Sequence, residues 1–240
     1  YGTMTGTIAM DMIAGIPTYV GNFNAVINGQ GFFIVRSNKA DITNEDLKSS
    51  GCSFTRVGQF TVDNNGYIVD SGNNFVFGFL KEDPDDPDSS YQTDTLKPLR
   101  LTDVEGNIIE GDDDEPAIAS SIEINNMGII TAKITDQDGN EKTVTIGKVA
   151  IASFQNPEGL TKSGGHYFTT NGNDNAGDCT ASEPGSGSTP SLMTGYVEGS
   201  NVDLAKEFSE LIMAQRGFQA NSKIITVSDE ILNELVNMKR

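Results

Sequence analysis

The sequence predicts a mainly β protein, with an antiparallel β-domain of hairpins and meanders followed by one long C-terminal α-helix of coiled-coil type. Short apolar runs separated by Gly, Asn and Asp turns fill most of residues 24–198. Residues 200–240 contain no proline and a single glycine, Gly217, in a stretch rich in Leu, Ile, Glu and Lys. Strand patterns do not alternate with helical ones, which argues against a parallel βαβ sheet.

Several local patterns support the β-domain. The Asn28-Gly29 pair beside an apolar run predicts a β-hairpin, because Asn-Gly adopts the positive φ angles of a tight turn. Residues 54–69 predict another hairpin, with its turn at 63–66. Alternating aromatic residues in the next run are expected to share one face of a strand: Phe75, Phe77 and Phe79. Further strands are predicted at 122–124, 129–134 and 143–154, with a turn at 136–140.

The C-terminal stretch has the end signals of a helix. Ser200 and Asp203 form a capping-box pattern, and the cations Lys239 and Arg240 stand where a helix C-terminus favours them. One helix of about forty residues would be roughly 60 Å long at about 1.5 Å per residue. Such a length indicates a helix that packs on other helices, including those of other subunits, although docking on its own domain is the alternative.

Alternating steps of four and three from Leu204 trace an apolar line along this helix. Three of its ten positions are polar, namely Gln215, Ser222 and Asp229. The pattern predicts a coiled-coil seam with polar interruptions. The predicted assembly seam is Leu204, Phe208, Leu211, Phe218, Ile225, Leu232 and Val236.

These patterns divide the chain into four parts. Residues 1–23 are expected to be a connector, and residues 24–80 with 117–198 the β-domain. Residues 81–116 are expected to be an acidic loop or small insertion, and residues 199–240 the C-terminal helix.

The composition excludes some kinds of partner. The chain has 34 acidic and 16 basic residues, a formal net charge of −18, which argues against nucleic acid or an anionic membrane surface. Acidic runs at 82–88 and 112–115 are typical of solvated loops. No apolar run has the length of a transmembrane span, and no leader pattern is present.

The sequence offers little catalytic or metal-binding chemistry. The one histidine, His166, is expected to be a surface or capping residue, and the pairing of Cys52 with Cys179 is left open. The runs 63–66 and 136–139 place Asp, Asn and Gly together, but they lack the spacing of a calcium loop and are better explained as turns. No nucleophile, zinc or dinucleotide motif is complete. The sequence therefore predicts neither an enzyme nor a cofactor or metal site.

Several blocks together resemble the bacterial flagellar axial proteins, and hook proteins most closely. The blocks are VINGQGFFIV (26–35), FTRVGQFTVDNNGYIVDSGNNFVFGF (54–79), IGKVAIASFQNPEGLTKSGGHYF (146–168) and GYVEGSNVDLAKEF (195–208), together with the terminal helix. They follow the order found in that family and cover most of the chain outside residues 1–23 and the acidic loops.

The resemblance implies a structural subunit of the flagellar hook, a curved helical tube that couples motor torque to the filament. Its partners would be copies of itself, other axial proteins such as the rod, hook cap and hook–filament junction, and the flagellar export apparatus. Subunits of that family leave the cell without a cleaved signal peptide. By position, Ser200–Arg240 would belong to the inner coiled-coil layer and the β-domain to the tube wall.

Two departures from the family pattern stand out. The N-terminal helix that pairs with the C-terminal one in that family is expected to be missing here. Residues 81–116 are too short for the large outer domain of many hook proteins, which indicates a short form. This second feature keeps a distal rod protein as the alternative. An extracellular β-rich binding module or adhesin is a further alternative from another functional class.

Overall fold

A computed structural model describes residues 15–21, 23–81, 90–102, 118–135, 140–170, 175–187 and 189–238. Two compact units divide the chain, Tyr1–Gly199 and Ser200–Arg240. We call the first the β unit, and each unit is described by itself.

The described part of the β unit holds eighteen strands. They are β1 (Pro17–Tyr19), β2 (Ala25–Ile27), β3 (Phe32–Arg36), β4 (Ile42–Thr43), β5 (Ser53–Thr55), β6 (Phe60–Val62), β7 (Ile68–Asp70), β8 (Phe75–Phe79), β9 (Thr95–Pro98), β10 (Ala119–Ile124), β11 (Ile129–Thr135), β12 (Glu141–Val149), β13 (Ile151–Phe154), β14 (Thr161–Gly164), β15 (Tyr167–Thr169), β16 (Cys179–Ser182), β17 (Leu192–Thr194) and β18 (Tyr196–Glu198).

Fourteen of these strands form one sheet, whose longest path runs β10-β11-β12-β8-β3-β5-β15-β14. β1 pairs with β18, and β2 pairs with β17, as two separate two-stranded sheets. Every strand pair among the described residues is antiparallel. The predicted mainly β, antiparallel fold class is thus confirmed.

Strand β3 lies at the centre because it pairs with β5, β8 and β13. Its side chains alternate between two hydrophobic clusters, with Phe33 in one and Phe32 in the other. Strand β8 does the same: Phe77 and Phe79 are fully buried in one cluster, Phe75 packs against that cluster, and Val76 points to the other. The expectation that the three phenylalanines share one face is therefore confirmed.

The two predicted hairpins have different outcomes. β6 and β7 pair as expected, and Asp63 Oδ1 caps their turn by accepting from the backbone N–H of Asn65 at 3.0 Å and of Tyr67 at 2.7 Å. The hairpin at Asn28-Gly29 is wrong, since β2 pairs with β17 whereas β3 pairs within the large sheet. Gly29 and Gly31 instead carry the chain from one sheet to the other, each with a φ of 151°.

Some segments in which no strand was predicted contain strands. β9 lies within residues 81–116, where Leu96 and Leu99 are fully buried, so this range is not loop throughout. β1 lies within the expected connector at 1–23. β16 lies in the Gly- and Ser-rich stretch before residue 191, where small side chains such as Ala181 pack against β13. These strands are short, and each finds its partner far along the chain, which local pattern does not reveal.

The second unit contains one helix, α1 (Leu204–Asn237), of 34 residues. It begins later than the sequence predicted, and the capping box at Ser200 is wrong. Asp203 is the N-cap, and its Oδ1 accepts from the backbone N–H of Ala205 at 2.9 Å and of Lys206 at 3.2 Å. Ser200 Oγ accepts from Val202 N–H in the non-helical segment before it.

Some predictions fall outside the described residues. They are most of the connector at 1–23, the acidic runs at 82–88 and 112–115, the turn residues 136–139, and the terminal cations Lys239 and Arg240.

Candidate functional site

The predicted seam lies along one side of α1 and is open to solvent. All seven residues are between 59% and 71% exposed in this chain: Leu204, Phe208, Leu211, Phe218, Ile225, Leu232 and Val236. Since single exposed apolar side chains are common but seven along one side of a helix are not, this surface is a candidate for burial by other molecules.

A second apolar stripe, which the sequence reasoning did not separate from the first, lies on another side of the same helix. Its large members are also exposed, from 42% for Val227 to 82% for Met238. At about 100° per residue the stripe lies roughly 145° around the helix from the seam. Steps of four and three from Met213 would have found it, passing through Gly217, Ala220, Ile224, Val227, Ile231, Glu234 and Met238, of which only Glu234 is charged.

One flank between the two stripes, which we call the polar flank, is mostly polar, and Ile212 is the apolar residue on it. Gln219, Lys223, Thr226 and Glu230 lie there on successive turns. A helix docked on one surface has a single apolar stripe, whereas α1 has two stripes that are separated by mostly polar residues. This arrangement is suited to contacts on two sides.

The β unit presents few groups for catalysis. No cluster of three or more His, Cys, Asp or Glu side chains suited to a metal ion occurs among the described residues. His166 sits in the turn between β14 and β15, where its ring packs against Tyr167 at a centroid distance of 4.2 Å. No helix in the described ranges has the length and apolar character needed to cross a bilayer.

Cys52 and Cys179 are free thiols in one region of the core. Burial raises the pKa of Cys52, whose Sγ lies 3.1 Å from Ser50 Oγ. Burial, with a smaller effect of the Cys52 charge, raises the pKa of Cys179 to about 12. Because the thiolate is the reactive form, both side chains are poor nucleophiles at neutral pH.

The end of the chain matches a known family. Residues 193–238, which include β18 and the whole of α1, match the family described as flagellar basal body rod FlgEFG protein C-terminal.

Two kinds of curated relative resemble the chain. The flagellar basal-body rod protein FlgG of Bacillus subtilis is 35% identical over 214 residues, which cover 89% of this chain and 64% of that protein. The flagellar hook protein FlgE of Borreliella burgdorferi is 47% identical over 94 residues, or 39% of this chain and 21% of that protein. The FlgE hook protein of Escherichia coli is 34% identical over 125 residues, which cover 52% of this chain and 30% of that protein.

The chain spans less than two thirds of the length of each of these relatives. The relatives are structural proteins and not enzymes, in agreement with the lack of a catalytic motif in the sequence. The family model covers the terminal helix, and the alignment with the Bacillus subtilis rod protein extends over 89% of this chain. The end of the chain thus matches the C-terminal part of the flagellar rod and hook family, and the chain as a whole resembles flagellar rod and hook proteins.

Proposed function

We propose that the chain is a structural subunit of the flagellar axial tube and that α1 assembles with the helices of other copies. The observation that carries this proposal is the exposed apolar seam on a 34-residue helix. Burying such side chains between helices is worth about 1.5–3 kcal/mol for each large residue. The second stripe supports the proposal, because a helix inside a tube has neighbours on more than one side.

We assign the parts of the chain accordingly. Residues 24–80 and 117–198 would form the tube wall, residues 199–240 the inner coiled-coil layer, and residues 1–23 a connector. Residues 81–116 would be a small insertion, of which the stretch 90–102 contributes β9 and buried leucines to the sheet.

Within the tube, we propose the hook as the position of this subunit, as the sequence blocks indicated. The identity of 47% with a hook protein over 94 residues supports this position. The distal rod is the second candidate, because the alignment with a rod protein extends over 89% of the chain, against 52% or less for the hook proteins cited above. In either position the partners would be other copies and the adjoining axial proteins, such as rod, hook cap and junction. Export through the flagellar apparatus without a cleaved leader is part of the same proposal.

Polymer formation by the full-length gene product tests the assembly role. We expect Leu211→Asp to abolish polymers seen by electron microscopy, because a charge buried without a partner is not tolerated in a seam. Gln219→Asp is the matched control, since it places the same carboxylate on the polar flank, and it should leave assembly intact. Circular dichroism should show the same β signal in both variants. Normal polymers from Leu211→Asp would contradict the seam.

The shape of the polymer distinguishes the two positions. A curved tube would support the hook, whereas a straight one would support the rod. Restoration of motility in a strain that lacks only its hook protein, or only its distal rod protein, gives an independent answer.

A further inference from the structure

An ion pair joins the segment after β5 to the end of β18. Arg56 Nε donates to Glu198 Oε2 at 2.8 Å, and the two side chains are only 13% and 11% exposed. Glu198 is the last residue of β18, and five residues separate it from the start of α1. The pair therefore lies at the point where the chain leaves the sheets of the β unit.

Glu198 also holds β1, the partner of β18. Its second carboxylate oxygen, Oε1, accepts from the backbone N–H of Gly15 at 2.9 Å. The next residue, Gly199, donates its N–H to Ile16 O at 2.9 Å. A Cβ at Gly15 would collide with the carbonyl of Gly199, so the two backbones can approach this closely only with glycine at position 15. We call the β1–β18 pair the ribbon.

Arg56 also binds the segment between β2 and β3. Its Nη1 donates to the carbonyl of Gly29 at 3.0 Å and to that of Gly31 at 3.2 Å, in the segment between β2 and β3. This segment is itself fixed, since a Cβ at Gly31 would lie 2.6 Å from the side chain of Ile151 in β13. One guanidinium thus ties the ribbon to the segment that enters the central strand of the large sheet.

The ribbon needs such a tie because two strands alone are only marginally stable in water. Apolar side chains in and beside it are exposed: Tyr19 of β1 is 64% exposed, and Ile16, which precedes β1, is 75% exposed. Elsewhere it is held through backbone bonds such as Gly195 N–H to Asn24 O. A nearly buried ion pair adds geometric definition, because its charges are tolerated only in the paired arrangement.

We propose that Arg56 and Glu198 are positioning residues that clasp the ribbon to the β unit, so that tension arriving along α1 enters the β unit through this pair. The mechanical part of this proposal rests on the proposed function as a tube subunit. Without the clasp, tension on the chain after Glu198 would peel the ribbon away before it reached the large sheet.

Hydrogen exchange on this chain tests the local part. In Glu198→Gln we expect the amides of Thr18, Val197 and Gly199 to exchange about tenfold faster, while those of β11 and β12 keep their rates. Asp178→Asn is the matched control, because it removes a carboxylate from an ion pair whose Asp178 side chain is 82% exposed. It should leave the exchange of the ribbon unchanged.

Glu198→Gln leaves the nearly buried Arg56 charge without its partner, which could prevent this variant from folding. A second variant is therefore needed. The double variant Arg56→Met with Glu198→Met removes both charges and should retain the global melting temperature better than the single variant. It should still show fast exchange in the ribbon. Unchanged ribbon exchange in both variants, or an equal rise in β11 and β12, would overturn the clasp.

Pulling single molecules tests the mechanical part. One handle is attached at the C-terminus and the other at Ser163 in the β14–β15 hairpin, where the side chain is exposed. The first rupture should occur at a clearly lower force in the double variant than in the parent chain or in Asp178→Asn. Equal rupture forces would overturn the mechanical role. Failure of the full-length product to polymerise would instead contradict the proposed function. The exchange rates and rupture forces would still test whether Arg56 and Glu198 hold the ribbon to the β unit.

Discussion

At the scale of single residues, Asp70 organises the turn after β7 and binds a distant hairpin. Its Oδ1 accepts from the backbone N–H of Gly72 and of Asn74, both at 2.9 Å. Its Oδ2 accepts from the hydroxyl of Tyr167 in β15 at 2.7 Å, and Asp70 itself is only 3% exposed. Both carboxylate oxygens are therefore satisfied, as a nearly buried charge requires. The Tyr167 bond closes a contact across 97 residues of chain.

We predict that Tyr167→Phe lowers the free energy of unfolding by about 1.5–3 kcal/mol at pH 7, the usual value of a hydrogen bond to a charged group. Urea unfolding followed by circular dichroism measures the change. Tyr196→Phe is the control, because it removes one phenol hydroxyl without affecting Asp70, and it should cost little. Equal stability of the Tyr167→Phe variant and the parent would contradict the role of this bond.

The same hydroxyl gives a pH dependence. Burial, reinforced by the hydrogen bond and the charge of Asp70, raises the pKa of Tyr167 to about 12 from its usual 10. The unfolded chain therefore loses this proton first as the pH rises. The contribution of Tyr167 to stability is complete below pH 10 and falls between about pH 10 and pH 12. Tyr167→Phe should lack this contribution, so its stability should approach that of the parent over this interval.

At the scale of elements, the helix N-terminus depends on one carboxylate. Asp203 accepts two backbone N–H groups and carries a negative charge at the positive end of the helix dipole. We predict that Asp203→Ala lowers the stability of α1 by about 1 kcal/mol, measured as loss of helical signal in circular dichroism on heating. Ser200→Ala is the control and should have little effect, since Ser200 Oγ bonds only to Val202 N–H. A larger loss of stability in Ser200→Ala than in Asp203→Ala would instead support the capping box predicted at Ser200.

The elements also show how far sequence alone could reach. The β6–β7 hairpin and the alternation in β8 were predictable, because each depends on residues within a few positions of one another. The ribbon was missed because its strands have three residues each and are about 180 positions apart. The hairpin predicted at Asn28-Gly29 was wrong because an Asn-Gly pair has the same sequence in a hairpin turn and in a crossing between two sheets. Residues close together in the sequence determine whether a segment forms a strand or a turn, whereas residues far along the chain determine which strand it pairs with.

The exposed surface of α1 was partly predictable in the same way. A 3.6-residue period identifies which side chains share a side of a helix, so the seven seam residues could be chosen from spacing alone. Spacing could also have identified the second stripe, to which Ile224, Ile231 and Met238 belong. The clasp was not predictable, because 142 positions separate Arg56 from Glu198 and neither lies in a charge pattern.

At the scale of the whole molecule, charge is divided unevenly along the chain. Of the 34 acidic and 16 basic residues, six and five lie in 200–240, a net charge of −1. The other 28 acidic and 11 basic residues give residues 1–199 a net charge of −17. Copies assembled through α1 would meet little repulsion between helices, while their remaining parts would repel one another. Screening by salt should relieve that repulsion, since the Debye length falls from about 30 Å at 0.01 M to about 3 Å at 1 M.

We therefore predict that polymers of the full-length product form faster and at lower protein concentration as sodium chloride rises from about 0.01 M to about 0.5 M. Light scattering measures the onset, with sucrose of matched osmolarity as the control for solvent exclusion. Replacing residues 112–115 (DDDE) by NNNQ removes four negative charges outside α1, so this variant should polymerise at lower salt than the parent. Two results would contradict this prediction: an onset that does not change with salt, or a variant that needs the same salt concentration as the parent. Either would mean that the charge of residues 1–199 does not oppose assembly. The contacts of α1 alone would then set the protein concentration at which polymers form.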